Sequence, residues 1–249
     1  MQHHNSAVLW TGHGASLAVA MAAAETQRQQ GQLAFAALPN VAVLGARHHH
    51  ISRSGRLPEA SHPDMLICEA GIPAHPDLQH LWIPRSGHAS DWMPLSWVMT
   101  ASQTLSAWLD CSVLVPPWRM LPPLQTPVLF ACDHGGSAVA QLFAALRSKT
   151  PELTADGLAT SELGHGWHAR LYQEGGTVLH LTPDPAPTLT DWLTHHAPQA
   201  RHHTIPVPVG ALPTLAVAAC VLSDLAQRAG VDLCRSRIPA ASDTLRGVR

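Results

Sequence analysis

Lysine is nearly missing from this chain: Lys149 is its single example among 249 residues, and arginine supplies the rest of the positive charge. Any internal Schiff-base chemistry therefore has one candidate. Basic clusters are missing too. With a formal net charge of −2 and scattered arginines, the chain lacks the electrostatic footprint of a nucleic-acid or anionic-membrane binder, which leaves a small molecule as the expected ligand. No basic-then-apolar leader precedes the first apolar run, so we expect no secretory signal and a cytoplasmic protein. The uncharged stretch Ile205 to Ser223 is broken by Pro206, Pro208, Gly210 and Pro213. It reads as a loop leading into a core helix, not as a membrane span.

Paired cysteine motifs are also lacking. Cys68, Cys111, Cys132, Cys220 and Cys234 are odd in number and widely spaced, several of them inside apolar runs such as "LFACD" and "VAACVL". They are expected to be reduced and buried. The 18 histidines, with runs at His48 to His50, His195 and His196, and His202 and His203, follow no Cys/His spacing of a zinc site. Adjacent strand residues moreover point to opposite faces. We expect solvated loop histidines and no metal.

What the chain does have is a 46% apolar composition, enough for a sizeable core, and a repeated local pattern. "SAVLWTGHGASLAVAMAAAETQRQQG" passes from a strand-like run through a glycine turn into an alanine-rich helix ended by Gly31, and "TPVLFACDHGGSAVAQLFAALRS" repeats the pattern. "LAFAAL", "MLICEA", "HLWIP", "CSVLV", "GTVLHLTPD" and "HHTIPVPV" have strand length, and "PLSWVMTASQTLSAWL" and "PTLAVAACVLSDLAQRAG" helix length, the latter stopping at Gly230. Between the two repeats lies "VPPWRMLPPLQT", with four prolines in twelve residues, which suits a connection between domains. We therefore expect an α/β fold of two halves, residues 1–117 and 118–249, each a parallel sheet flanked by helices. Ligands of such sheets sit beyond the carboxyl ends of the strands.

Two loops carry anion chemistry. In "HHHISRSGRLPEA", Ser52 and Ser54 offer hydroxyls around Arg53, and Gly55 permits a sharp turn whose amides converge. "TGHGAS" adds a helix N-terminus, where free amides and the helix dipole favour an anion and where Ser16 either donates to that anion or caps the helix. His13 and His134 occupy the two glycine turns and are candidates to face a cleft, as is Trp167.

In combination these stretches resemble the sugar isomerase (SIS) domain family of phosphosugar-binding proteins. "WTGHGAS" is similar to its glycine turn, and "ISRSGRLPEA" to its Ser-x-Ser-Gly loop, with Arg-Ser-Gly-x-x-Pro-Glu most like the galactosamine-6-phosphate deaminase/isomerase branch. "SWVMTASQT", "SELGHG" and the closing "LAQRAGVDLCRSRIPAASDTL" agree in order and spacing.

The resemblance implies two flavodoxin-like, three-layer halves assembled as a homodimer. It implies a phosphate held by Ser16, Ser52 and Ser54 with Arg53 and the Ala15 amide, and a ring-opening role for His165 reaching into the neighbouring subunit. It further implies aldose–ketose isomerisation or isomerising deamination of a hexose or aminohexose 6-phosphate, without metal or nucleotide cofactor. The alternative is a catalytically silent sugar-phosphate sensor or accessory module. The departures are specific. The family's proton-shuttling glutamate corresponds here to Lys149 or Thr150, which leaves Glu152, Glu162 or Lys149 itself to supply the chemistry. The tail lysine of the synthase branch is absent, and Leu57 replaces the usual threonine after the Ser-Gly loop.

Overall fold

The computed structural model describes residues 7–12, 14–38, 47–51, 78–79, 94–109, 123–146, 155–166, 171, 173–184 and 187–231. Eight strands and five α-helices are described: β1 (Val8–Gly12), α1 (Ala15–Gln29), β2 (Ala34–Ala37), β3 (Arg47–Ile51), β4 (Leu78–Gln79), α2 (Pro94–Trp108), β5 (Val128–Cys132), α3 (Gly136–Leu146), β6 (Ala155–Ala159), β7 (Gly176–Thr182), α4 (Pro187–His196), β8 (Ala200–Pro206) and α5 (Ala211–Arg228), with a 3-10 turn at Thr160–Gly164. The expected strands "MLICEA" and "CSVLV", and "HLWIP" beyond the end of β4, lie outside the described residues, as does the boundary at 117/118.

The strands form two four-stranded sheets, ordered β2-β1-β3-β4 and β6-β5-β7-β8, with every pairing parallel. In each sheet the first strand of the repeated pattern is internal, and its side chains are buried along the whole length. Both faces of such a strand are covered, which is why "VLW" and "VLFAC" are continuous apolar runs with no polar alternation. Phe130, Cys132 and Leu179 point into a core shared with Trp10, Val19, Leu142 and Leu215, whereas Leu129, Ala131 and Val178 pack beneath Leu189 and Leu193 of α4.

Two helices stop where the sequence says they should. At the end of α1 the Gly31 amide donates to the Arg28 carbonyl (3.0 Å) and the Gln32 amide to that of Gln27 (2.9 Å). Gly31 takes a φ of +82°, the left-handed residue that this double closure requires. Gly230 and Val231 close α5 on Gln227 and Ala226 in the same way.

Helices α1 and α3 pack antiparallel between the sheets. A Cβ placed on Gly14, just before α1, would lie 3.8 Å from Cβ of Ala145, near the end of α3. At the other end, the Gly135 amide, just before α3, donates to Oε1 of Glu25 at 2.8 Å. Among the described residues no helix is long and apolar enough to cross a membrane.

Close backbone approach explains one glycine outright. A Cβ on Gly136, the first residue of α3, would fall 2.3 Å from the Ala159 amide nitrogen, so Gly136→Ala is expected to cost roughly 2–3 kcal/mol or more as overpacking. Gly164→Ala meets nothing within 4 Å and should stay within about 0.5 kcal/mol. Urea unfolding of the two variants checks the contrast.

Candidate functional site

At the carboxyl edge of the first sheet, β1 turns into α1 through Gly12 and Gly14. A Cβ on Gly12 would lie 2.6 Å from the Ser16 carbonyl carbon, so the chain folds tightly onto the first helical turn. Gly14, at φ +55°, is the N-cap residue, and the cap carries no side-chain hydrogen bond. The capping role for Ser16 therefore falls away: it is the second helical residue, and it is buried. Ala15 is half-buried beside it. Strand β3 runs parallel to β1 with Gly12 opposite Ile51. The chain thus leaves β3 for Ser52 directly beside the Gly12–Ser16 turn. Ser52, Arg53 and Ser54 themselves lie outside the described residues, as do His13, Lys149, Glu152 and Trp167.

The matching turn of the second sheet, Asp133 to Gly136, is filled by the protein itself. Glu25 accepts from the Gly135 amide, while Gln29 donates to Glu25 (3.3 Å) and to Nδ1 of His134 (3.2 Å). The Ala211 backbone stands 3.0 Å from where a Gly135 Cβ would be. An internal carboxylate thus occupies the place where a helix N-terminus would take an anion. His134 is held by Gln29 and half-buried.

Beside this turn lies a polar cluster that the motifs did not signal. Oδ1 of Asp133 accepts from the Thr160 hydroxyl at 2.7 Å and from Nε2 of His180 at 2.9 Å. Partial burial alone would raise the Asp133 carboxyl. Hydrogen bonds from Thr182, His180 and Thr160, with the charge of His180, outweigh that and hold it below the usual carboxylate range. Since an ionised carboxylate only accepts, Nε2 of His180 carries the proton. Nδ1 of His180 is buried without a hydrogen-bond partner among the described residues. His202 stacks 6.0 Å away and meets the Thr190 hydroxyl through its own Nδ1 at 2.9 Å.

Glu162 lies in the 3-10 turn that begins at Thr160, and His165 is its C-cap residue. Leu163 is buried beneath the turn, whereas Glu162 and His165 are exposed, and the His165 amide donates to the Glu162 carbonyl at 2.9 Å. Glu162 and His165 therefore share one exposed segment at the end of the α1–α3 pair where Gly135 meets Glu25, whereas Ser16 lies at the other end, where Gly14 meets Ala145.

The histidine runs are not loops, contrary to the expectation from sequence. His49 is a buried residue of β3, stacked 4.6 Å from Trp10; His195 and His196 end α4; His202 and His203 are in β8. His48 to His50 are drawn into the sheet between β1 and β4, and His202 and His203 by pairing with the buried β7. Among the described residues no three His, Cys, Asp or Glu side chains converge as a metal site. Cys132 and Cys220 are free thiols. Burial, reinforced by the Asp133 and Glu25 charges, pushes the Cys132 thiol far up, and burial raises Cys220, so neither is a nucleophile. An apolar groove of about 340 Å³, lined by Leu124, Val128, Ala155 and Leu225 among others, lies where β5 and β6 begin, at the edge opposite these turns.

No protein-family model and no curated protein matches the chain. Solved structures do. A provisionally assigned phosphosugar isomerase from Silicibacter pomeroyi DSS-3 aligns over 92% of this chain and 88% of its own, with a TM-score of 0.55 and 15% identity. The chain shares the fold of that protein. Glucosamine-6-phosphate deaminase from Thermotoga maritima (TM-score 0.49, 12% identity, 93% of this chain and 88% of its own) and the C-terminal domain of glucosamine-fructose-6-phosphate aminotransferase from Francisella tularensis (0.48, 12%, 91% and 86%) score lower. Of the three, the Silicibacter likeness bears on the fold. The Gly12–Ser16 turn and the end of β3 share one carboxyl edge, where ligands of open parallel sheets bind.

Burial of His202, followed by the charges of His180 and His203, lowers its pKa below the ordinary 6.5. The folded state then binds fewer protons than the unfolded one between the depressed value and 6.5. Stability from this group is complete above about 6.5 and falls as pH drops through that window. Thermal unfolding from neutral to mildly acidic pH should show this loss, and His202→Gln should flatten it.

Proposed function

We propose that this chain binds a hexose or aminohexose 6-phosphate at the carboxyl edge of the first sheet and isomerises it between aldose and ketose, with or without release of the amino group. The observation that carries the reading is the register of β3 on β1. It ends β3 at Ile51 beside the Gly12–Ser16 turn, which supports reading the two stretches that most resemble SIS phosphate loops as one site. The phosphate is held by Ser16, Ser52 and Ser54, with Arg53 and the Ala15 amide. The second turn is not a rival site, because Glu25 and Ala211 fill it.

His165 opens the sugar ring, and a carboxylate, Glu162 or Glu152, moves the proton between C1 and C2 as the general base. Lys149 stands where the family has its glutamate. The separation of the His165 segment from Ser16 supports a homodimer in which His165 of one chain completes the site of the other. Each sheet with its helices is one flavodoxin-like half, divided at residues 117/118, and the working location is the cytoplasm. No metal or nucleotide takes part in this scheme. The substitution at Lys149 favours a second reading, a sugar-phosphate sensor without turnover.

Thermal-shift binding with a panel of hexose and aminohexose 6-phosphates, followed by proton exchange at C2 in heavy water, separates the two. The enzyme reading expects binding and exchange, with Ser52→Ala weakening binding roughly ten- to a hundredfold, as for one hydrogen bond to a charged group. Binding without exchange leaves the sensor. Absence of binding overturns the phosphate cradle.

A further inference from the structure

We infer that Asp133 is the positioning residue of the segment that carries Glu162 and His165, acting through Thr160 and itself fixed by His180; its catalytic meaning rests on the reading above, its structural meaning does not. The Glu162–His165 segment leaves β6 at Ala159 and reaches solvent within one short 3-10 turn, a conformation with little hydrogen bonding of its own. Two attachments hold it. One is apolar, the buried Leu163. The other is the Thr160 hydroxyl, which donates to Oδ1 of Asp133 at 2.7 Å at the first residue of the turn.

Asp133 is an unusually fixed post. Its amide donates to the Leu181 carbonyl at 3.2 Å, and the same Oδ1 that holds Thr160 accepts from Nε2 of His180 at 2.9 Å. His180 is only 4% exposed in its side chain, against 33% for Asp133. The carboxylate is thus anchored from the sheet interior and offers its acceptor to the loop at the rim. Gly136 brings the Ala159 backbone against the start of α3, so the departure point of the segment and the post that holds it are fixed to the same helix terminus.

The bonds from Thr160 and His180 both end on Oδ1. Asparagine can supply the same Oδ1 acceptor without the charge, whereas alanine cannot. If Asp133 acts by position, Asp133→Asn keeps the segment in place and Asp133→Ala releases it, while Thr160→Val releases it from the other side and Thr160→Ser restores it.

Hydrogen exchange read by mass spectrometry on the full-length protein decides this without any substrate. We expect peptides covering 160–166 to exchange at least tenfold faster in Asp133→Ala and Thr160→Val than in wild type, with Asp133→Asn and Thr160→Ser close to wild type and with exchange of β5 and α3 peptides unchanged. Unchanged exchange of 160–166 in Asp133→Ala and Thr160→Val overturns the inference, as does equal acceleration of β5 and α3, which would make the pair a part of general stability.

Turnover then tests the catalytic meaning separately. Where wild type shows C2 exchange, Asp133→Ala should lower kcat by at least tenfold with KM within about twofold, and Asp133→Asn should recover most of it. An increase in KM at constant kcat would place Asp133 in substrate binding and overturn the positioning role. If wild type binds no sugar phosphate, the proposed function fails while the exchange pattern still decides the inference.

Discussion

The antiparallel contact of α1 with α3 is the constraint on which the rest of this structure depends. Two strand–turn–helix units of the same local build are packed head to tail through their first helices, so the glycine turn of each unit meets the far end of the other's helix. At one end the contact is small and apolar, Gly14 against Ala145. At the other it is polar, Glu25 on the Gly135 amide. The asymmetry makes two similar turns chemically different. One has its anion supplied internally, and the other keeps its turn beside the strand that leads to Ser52.

The same packing sends the carboxyl edges of the two sheets to opposite ends of the helix pair. Ser16 and the Glu162–His165 segment are therefore parts of different edges. In the proposed homodimer a second chain joins them. The polar post at Asp133 belongs to this logic: a segment that must work away from its own sheet needs its base fixed.

Much of the fold was legible because its strongest signals are local. Continuous apolar runs marked the internal strands β1 and β5, and Gly31 and Gly230 marked two helix ends through the left-handed conformation they adopt. What was not legible depends on neighbours. The sequence "ADGLA" has too little apolar content to announce β6, which becomes a strand because it pairs with β5 and because Gly157 lets Val139 approach. "PTLTDWLTHH" reads as polar, yet α4 forms around the Leu189 and Leu193 pair that covers Val178. In the site, Ser16 was visible through its motif, while Asp133 was passed over for its neighbour His134. The available clue was His180: a histidine inside "TVLHLT" must find a partner when buried, and the nearest acceptor is the carboxylate that ends β5.

The central claim, that one chain holds the phosphate edge while another brings His165, is tested most directly by mixing two inactive variants. Ser52→Ala and His165→Ala chains, each carrying a different affinity tag, are co-expressed and the doubly tagged species is assayed for C2 proton exchange. The account predicts that the mixed species regains a substantial fraction of wild-type exchange, because one of its two sites has both groups intact. A mixed species no more active than either parent would contradict it.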